Sequence, residues 1–103
     1  MTLLGSSDQA QEAMKARIEK IRELMLHELG EDGEKKFPTV ARRVRYAPDV
    51  QGLWYSRGDV MAIIANTQGE AVAREKIASI SKHFQGLLPK SLTRKIGIRS
   101  IQH

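Results

Sequence analysis

The sequence predicts an all-α fold: a compact bundle of three long helices and one short helix, followed by an irregular basic C-terminal tail. Three observations lead to this fold class. Apolar residues recur every three or four positions in three long stretches, which is the spacing of one helical face. Breaks that contain glycine or proline separate these stretches. The alternation that is typical of a strand occurs only weakly, at Ile96 and Ile98 in the tail.

The first predicted helix covers residues 8–29 and opens on a run of N-capping residue types, Ser6 to Asp8. An apolar seam along this helix is expected to face the core, because its members are spaced by three or four residues. The seam consists of Met14, Ile18, Ile21 and Met25. Gly30 and Gly33 are expected to end the helix and to begin a turn-rich loop that lasts until residue 36.

Three further helices are predicted after this loop. Pro38 suits the first turn of a short second helix, which ends before Pro48. Pro48 and Asp49 begin a third helix that runs to about Asn66. Its second half is apolar nearly all round, so we expect this helix to be central. The fourth helix is predicted from about Glu70 to Leu88.

Length and composition indicate one folded domain, with residues 1–88 as the helical bundle and residues 89–103 as a basic tail. The chain contains no cysteine, which excludes disulfides, thiolate zinc sites and cysteine nucleophiles. Its opening residues lack the basic segment of a secretory signal. The longest uninterrupted apolar run, Val60 to Ala65, is too short to span a membrane. We therefore expect a cytoplasmic protein without a membrane partner.

The net charge of +5 conceals an asymmetry between the two parts of the chain. Residues 1–34 contain eight acidic and four basic residues, a net charge of −4, whereas residues 35–103 contain thirteen basic and four acidic residues, a net charge of +9. This segregation has two interpretations. It steers an anionic partner toward the basic part, or it pairs the two parts of the chain with each other.

The tripeptide Arg57-Gly58-Asp59 spells the RGD adhesion motif, which acts from an exposed turn of a secreted protein. Here it lies in the middle of the predicted third helix. Because a short motif requires its structural context, we interpret this one as a chance combination.

Arg57 lies on the same predicted core-facing stripe as Trp54 and Met61. A buried charge without a partner is unfavourable, so a counter-charge is expected. Arg57 is expected either to place its charged end in water at the edge of the core or to meet a carboxylate of the first helix, such as Glu23 or Glu28. A structural ion pair is the favoured interpretation, and a ligand-binding arginine is the alternative. The neighbouring residue, Gly58, is expected to allow a close approach of another helix.

No catalytic residue, metal site or cofactor site is predicted. Ser79 and Lys82 match the S-x-x-K motif of some serine acyl enzymes, but the companion motifs are missing. Glu23 and His27 are spaced like two ligands on one helix face, yet two ligands alone make a poor metal site. Phosphate-binding glycine patterns do not occur in the sequence. We therefore expect a protein that is not an enzyme and has no cofactor and no small-molecule substrate.

Two stretches contain basic residues without acidic ones and are candidates for contact with a nucleic-acid backbone. The first comprises Lys35, Lys36, Arg42, Arg43 and Arg45, and the second, in the tail, comprises Lys90, Arg94, Lys95 and Arg99. A helix-turn-helix between residues 64 and 69 is only weakly indicated, because no residue pattern separates this turn from an ordinary helical hairpin. A small basic nucleic-acid-binding accessory or regulatory protein is the alternative function.

The wide apolar arc of the third helix favours a different function. Four helical segments are not expected to cover this arc fully, and a leftover apolar face is commonly closed by a two-fold homodimer. The candidate interface residues are Trp54, Arg57 and Met61. The function that we predict first is therefore a small non-enzymatic helical interaction module that self-associates or binds another protein.

Overall fold

The computed structural model describes residues 2–89 and residue 92, with side chains from Asp8 onward. It contains four helices, α1 (Thr2–Lys36), α2 (Pro38–Arg45), α3 (Val50–Gln68) and α4 (Glu70–Lys82), and no strand among the described residues. The predicted all-α bundle of three long helices and one short helix is confirmed. Most of the predicted tail, with Arg94, Lys95 and Arg99, lies outside the described residues.

Helix α1 begins earlier than predicted and extends beyond the other helices. It starts at Thr2 rather than at residue 8, so the expected capping run from Ser6 to Asp8 lies inside the helix. All ten residues from 8 to 17 are exposed. Met14, which was predicted to face the core, is 49% exposed because none of the four described helices packs over this part of α1. The core-facing part of the predicted seam therefore starts at Ile18, which is half-buried.

The prediction of a loop at residues 30–36 is wrong, although the first of these residues, Gly30, does interrupt the helix. Gly30 adopts φ 67° and ψ 179°, a conformation that favours glycine, and α1 is kinked there. The chain then returns to helical geometry as far as Lys36. A Cβ at Gly33 would lie 3.2 Å from the Cβ of Leu29 in the same helix and 3.6 Å from the Cγ2 of Ile63 in α3. The tight neighbour of Gly33 is therefore Leu29, and the second part of α1 meets α3 at an ordinary van der Waals distance.

The bounds of α2 and the start of α3 follow the predicted local signals, whereas α3 continues to Gln68, two residues beyond its predicted end. Pro38 is the first residue of α2, and this helix ends before Pro48. Asp49 caps α3, and its carboxylate accepts a hydrogen bond of 3.0 Å from the backbone N–H of Gly52. A single residue, Gly69 with φ 93°, separates α3 from α4.

Helix α4 ends at Lys82, six residues before the predicted end at Leu88. The next backbone N–H groups, those of His83 and Phe84, donate to carbonyls three residues earlier rather than four. The chain then continues in turns, in which Gly86 has φ 80°. Phe84 is nevertheless buried, so the apolar seam of the fourth segment outlasts its helix.

The core lies around α3, which packs against all three other helices. Apolar side chains from every helix, from the segment between α2 and α3 and from the turn after α4 form one cluster. The cluster consists of Ile21, Met25, Leu29, Ala41, Val44, Ala47, Leu53, Val60, Ile63, Ile64, Ala73, Ile77, Ile80 and Phe84. Across the part of the chain that the structure describes, every helix is too short or too polar to cross a membrane.

Candidate interaction surfaces

The predicted interface residues lie on the side of α3 that faces α4. The rings of Trp54 and Phe84 meet edge to face, with their centroids 5.1 Å apart at an angle of 70°. The guanidinium of Arg57 stacks on the Trp54 ring, with Cζ 3.3 Å from the ring centroid. Met61 is half-buried and lines a groove next to Ala73 of α4. All three predicted residues therefore contribute to the packing of α3 on α4.

The prediction of an ion pair for Arg57 is wrong, because its guanidinium contacts no carboxylate among the described residues. Arg57 Nε donates to the backbone oxygen of Trp54 at 3.1 Å, and Nη1 donates to Oγ of Ser81 at 2.9 Å. Of the two expected partners, Glu28 pairs instead with Lys76 at 2.9 Å. Burial without a carboxylate lowers the pKa of Arg57 from its ordinary value. An aromatic face and two neutral oxygens thus replace the expected counter-charge.

The RGD tripeptide lies inside α3, and its two charged side chains have separate partners. Arg57 faces α4, as described above, whereas Asp59 Oδ2 accepts a hydrogen bond of 2.6 Å from Nη1 of Arg43 in α2. A tripeptide within a helix, with each charge engaged by a different helix, does not have the geometry of an adhesion loop.

The first basic stretch is partly neutralised within the chain. Arg43 pairs with Asp59, and Arg45 pairs with Glu34 at 2.5 Å. The hydrogen bond and charge of Glu34 raise the pKa of Arg45 above its ordinary value. Three members of the stretch form no ion pair with any described residue, and all three are exposed: Lys35, Lys36 and Arg42.

The charge of the bundle differs from that of the tail. Residues 8–89 contain thirteen Lys and Arg against twelve Asp and Glu, whereas residues 90–103 contain four Lys and Arg and no acidic residue. Two ion pairs join the acidic first part of the chain to the basic second part, Glu34 with Arg45 and Glu28 with Lys76. The net charge of the bundle is therefore close to zero, two ion pairs join its acidic and basic parts, and the excess positive charge belongs to the tail.

Two arginines of α1 serve as caps for other helices, which the sequence reasoning missed. Three of the hydrogen bonds that Arg22 donates go to backbone oxygens at the end of α2, those of Val44 at 2.8 Å, Arg45 at 2.9 Å and Ala47 at 3.1 Å. Arg17 does the same after α4 and donates to the oxygens of His83 and Gln85. Both arginines lie next to the apolar seam of α1. This position beside the core-facing residues is the feature of the sequence that could have indicated their capping role.

An outward side of α3 remains exposed, and we call it the open face of α3. It consists of Tyr55, Gly58, Asp59 and Ala62. Tyr55 is 66% exposed, which is unusual for a large apolar ring on the central helix. A Cβ added at Gly58 would meet no atom within 4 Å. The close approach of another helix that Gly58 was expected to permit therefore does not occur within the described part of the bundle.

Two adjoining grooves begin at the end of the open face. One has a volume of about 470 Å³ and lies between Phe37 and Ala62, and the other has a volume of about 210 Å³ and lies between Met61 and Ala73. Both are lined by Ala62, Ala65 and Glu70. Small apolar side chains thus form shallow depressions beside Ala62.

A cleft of about 630 Å³ lies at the kink of α1. Polar residues from α1 and from the end of α3 line most of it, and the Glu28–Lys76 ion pair forms part of one wall. His27, Glu31 and Asp32 also border it, but no group of three or more metal-binding side chains occurs among the described residues. This mixed lining does not select a particular ligand chemistry.

The connection between α3 and α4 has a geometry that differs from a helix-turn-helix. That motif joins its helices by a turn of about three or four residues, whereas Gly69 alone connects these two. Ser79 and Lys82, the S-x-x-K residues, are both exposed on α4.

Comparison of the chain with protein-family models, with curated proteins and with solved structures finds no match.

Proposed function

We propose that this protein is a small, non-enzymatic, cytoplasmic interaction module that associates with a second copy of itself. The open face of α3 is the observation that carries this proposal. Tyr55 projects there with most of its surface in water, next to the small residues Gly58 and Ala62. Exposed tyrosines are enriched in protein interfaces, and small neighbours allow a second helix to approach closely.

The charge of the bundle is compatible with a second copy as the partner. Because thirteen basic residues oppose twelve acidic ones in residues 8–89, two bundles do not repel each other strongly. Most soluble oligomers consist of identical chains, and in a two-fold dimer the same patch is used on both copies. A single open face on the central helix is therefore sufficient to form both sides of the interface.

The experiment that tests this proposal compares two variants by light scattering at high protein concentration. Ala62→Arg places a long charged side chain on the open face, and we expect it to yield monomers of 11.6 kDa. Ser79→Arg places the same side chain at an exposed position of α4 and is expected to retain the mass of the native chain. If Ala62→Arg keeps a dimeric mass, the open face is not the interface.

A second candidate function is binding of the phosphate backbone of a nucleic acid. It is favoured by the unbalanced charge of residues 90–103 and by the exposed side chains of Lys35, Lys36 and Arg42. These seven cations would neutralise about seven phosphates, which corresponds to a slope of about −6 in a double-logarithmic plot of affinity against salt.

Fluorescence anisotropy of a labelled duplex at several salt concentrations tests this candidate. Arg42→Ala is expected to reduce the salt dependence by about one contact, whereas Arg43→Ala is expected to have a smaller effect, because Asp59 already neutralises Arg43. No binding at low salt would eliminate this candidate. Equal effects of the two variants would show that the ion pair with Asp59 does not control access to Arg43.

A further inference from the structure

We infer that two copies of the chain associate through an antiparallel crossing of their α3 helices, with a two-fold axis beside Gly58. This arrangement rests on the self-association proposed above and specifies its geometry. In it, Tyr55 of each copy lies over Ala62 of the other.

The spacing of the open face provides the first argument. Tyr55 and Ala62 are seven residues apart, so they lie on the same side of α3 and are separated by two turns, about 10.5 Å. Gly58 and Asp59 lie midway between them. A two-fold axis at this midpoint reverses the second helix, so the exposed ring of each copy meets the small residue of the other.

The grooves beside Ala62 provide the second argument. They are bounded by half-buried apolar side chains, Phe37 on one side and Met61 on the other. A tyrosine ring that approaches Ala62 from a second copy would bury apolar surface against both. An antiparallel two-fold crossing places one Tyr55 ring and one pair of grooves at each end of the contact. Each ring therefore meets the grooves of the other copy.

Gly58 provides the third argument. Its backbone is not in the positive-φ region, and a Cβ at its position would meet open space, so neither the backbone conformation nor the packing of the described bundle requires glycine. Glycine in the middle of a helix costs about 1 kcal/mol relative to alanine. At the crossing point of two helices, however, it permits the closest approach of their backbones.

The charges near the crossing are compatible with two copies. Asp59 lies close to the proposed axis, where two carboxylates would otherwise repel each other, but Arg43 neutralises each of them at 2.6 Å.

The size of the contact sets the expected affinity. α3 has 19 residues and is about 28 Å long, so one helix crossing with its rim falls below the roughly 1,200 Å² that stable interfaces bury. We therefore expect a weak dimer, with a dissociation constant in the micromolar range.

Cysteine cross-linking tests the geometry, because the native chain contains no cysteine that could interfere. Tyr55→Cys and Ala62→Cys chains are prepared separately and are oxidised alone and as an equimolar mixture. The antiparallel crossing predicts a disulfide-linked dimer mainly in the mixture, since a disulfide requires Cα atoms about 4.4–6.8 Å apart. A parallel crossing would instead link Tyr55→Cys to itself, and this result would overturn the inference.

A second variant does not depend on cross-linking. Gly58→Leu is expected to keep the fold, because the space around Gly58 is open in the described bundle, and to be at least as resistant to urea as the native chain. The same variant is expected to be monomeric at concentrations where the native chain dimerises. A Gly58→Leu chain that still dimerises overturns the crossing while self-association stands. A native chain that is monomeric at all concentrations overturns the proposed function itself.

Discussion

The most sharply defined structural prediction concerns Arg22, which joins α1 to the end of α2. Only 15% of its side chain is exposed, and it donates to the backbone oxygens of Val44, Arg45 and Ala47. Glu19 fixes the guanidinium from the other side, with Nε to Oε1 at 3.0 Å. Replacement of Arg22 by alanine removes all of these hydrogen bonds at once.

The expected loss in the free energy of unfolding follows from the three carbonyl groups that lose their hydrogen-bond donor. A shielded acceptor that loses its partner costs about 1–3 kcal/mol, and the hydrogen bonds to the oxygens of Val44 and Ala47 are part-buried. Water reaches the exposed Arg45 position more easily, so we expect Arg22→Ala to reduce the free energy of unfolding by about 2–4 kcal/mol. The favourable interaction of a cation with the C-terminal end of a helix is lost as well. Arg22→Lys is expected to recover part of this loss, because an ammonium keeps the charge but not the fork of donors.

Urea denaturation followed by far-UV circular dichroism measures this loss, at a protein concentration low enough to keep the chain monomeric. Lys15→Ala is the matched control, because Lys15 is a cation of the same helix with 72% of its side chain exposed and a loose 3.8 Å contact to Glu12. We expect Lys15→Ala to change stability by less than about 0.5 kcal/mol. If Arg22→Ala is as stable as Lys15→Ala, the capping role of Arg22 is refuted.

Two further predictions concern the packing of the bundle. Met14→Ala is expected to cost less than about 0.5 kcal/mol because Met14 lies on the uncovered part of α1, whereas Ile21→Ala, on the same seam but fully buried, is expected to cost about 2–5 kcal/mol in urea denaturation. Equal costs would show that the first turns of α1 are covered. Arg57→Lys is expected to cost about 1–2 kcal/mol, because lysine cannot stack its charge flat on the Trp54 ring or keep both hydrogen bonds. Fluorescence of Trp54, the sole tryptophan, reports this unfolding, and an unchanged midpoint would contradict the stacking.

The helix boundaries that depend on local chemistry could be predicted from the sequence. Pro38 fixes its own φ and suits a first helical turn, Asp49 supplies a capping carboxylate, and Gly69 adopts a positive φ that other residues avoid. Each of these signals acts within a few residues. Gly30 interrupts the helix as predicted, but the sequence does not reveal that the chain returns to helical geometry after it, with Gly33 buried next to α3.

The structural features that could not be predicted from the sequence depend on which residues of one helix lie alongside another helix. The seam of α1 looks uniform from Met14 to Met25, yet only its later part meets the other helices. Similarly, the partner of Arg57 turned out to be a tryptophan ring and a serine hydroxyl, because Ser81 of α4 lies beside α3 there and Glu28 is already paired. Pairing of this kind is set by the packed bundle and not by residue spacing.

The same limitation applies to the charged residues. The basic stretch before Pro48 reads as one positive patch, but Arg43 and Arg45 are neutralised by carboxylates 16 and 11 residues away along the chain. Lys35, Lys36 and Arg42, in contrast, form no ion pair with any residue that the structure describes. The sequence alone left open whether the two parts of the chain attract a partner or each other, and within the bundle two ion pairs, Glu34 with Arg45 and Glu28 with Lys76, join them.

Sedimentation equilibrium of the unmodified chain, from about 5 µM to about 500 µM, tests self-association most directly. We expect the weight-average mass to rise from the 11.6 kDa of one chain toward twice that value, in a two-state monomer–dimer equilibrium with a micromolar dissociation constant. A mass that stays at 11.6 kDa over the whole range would contradict the proposed function.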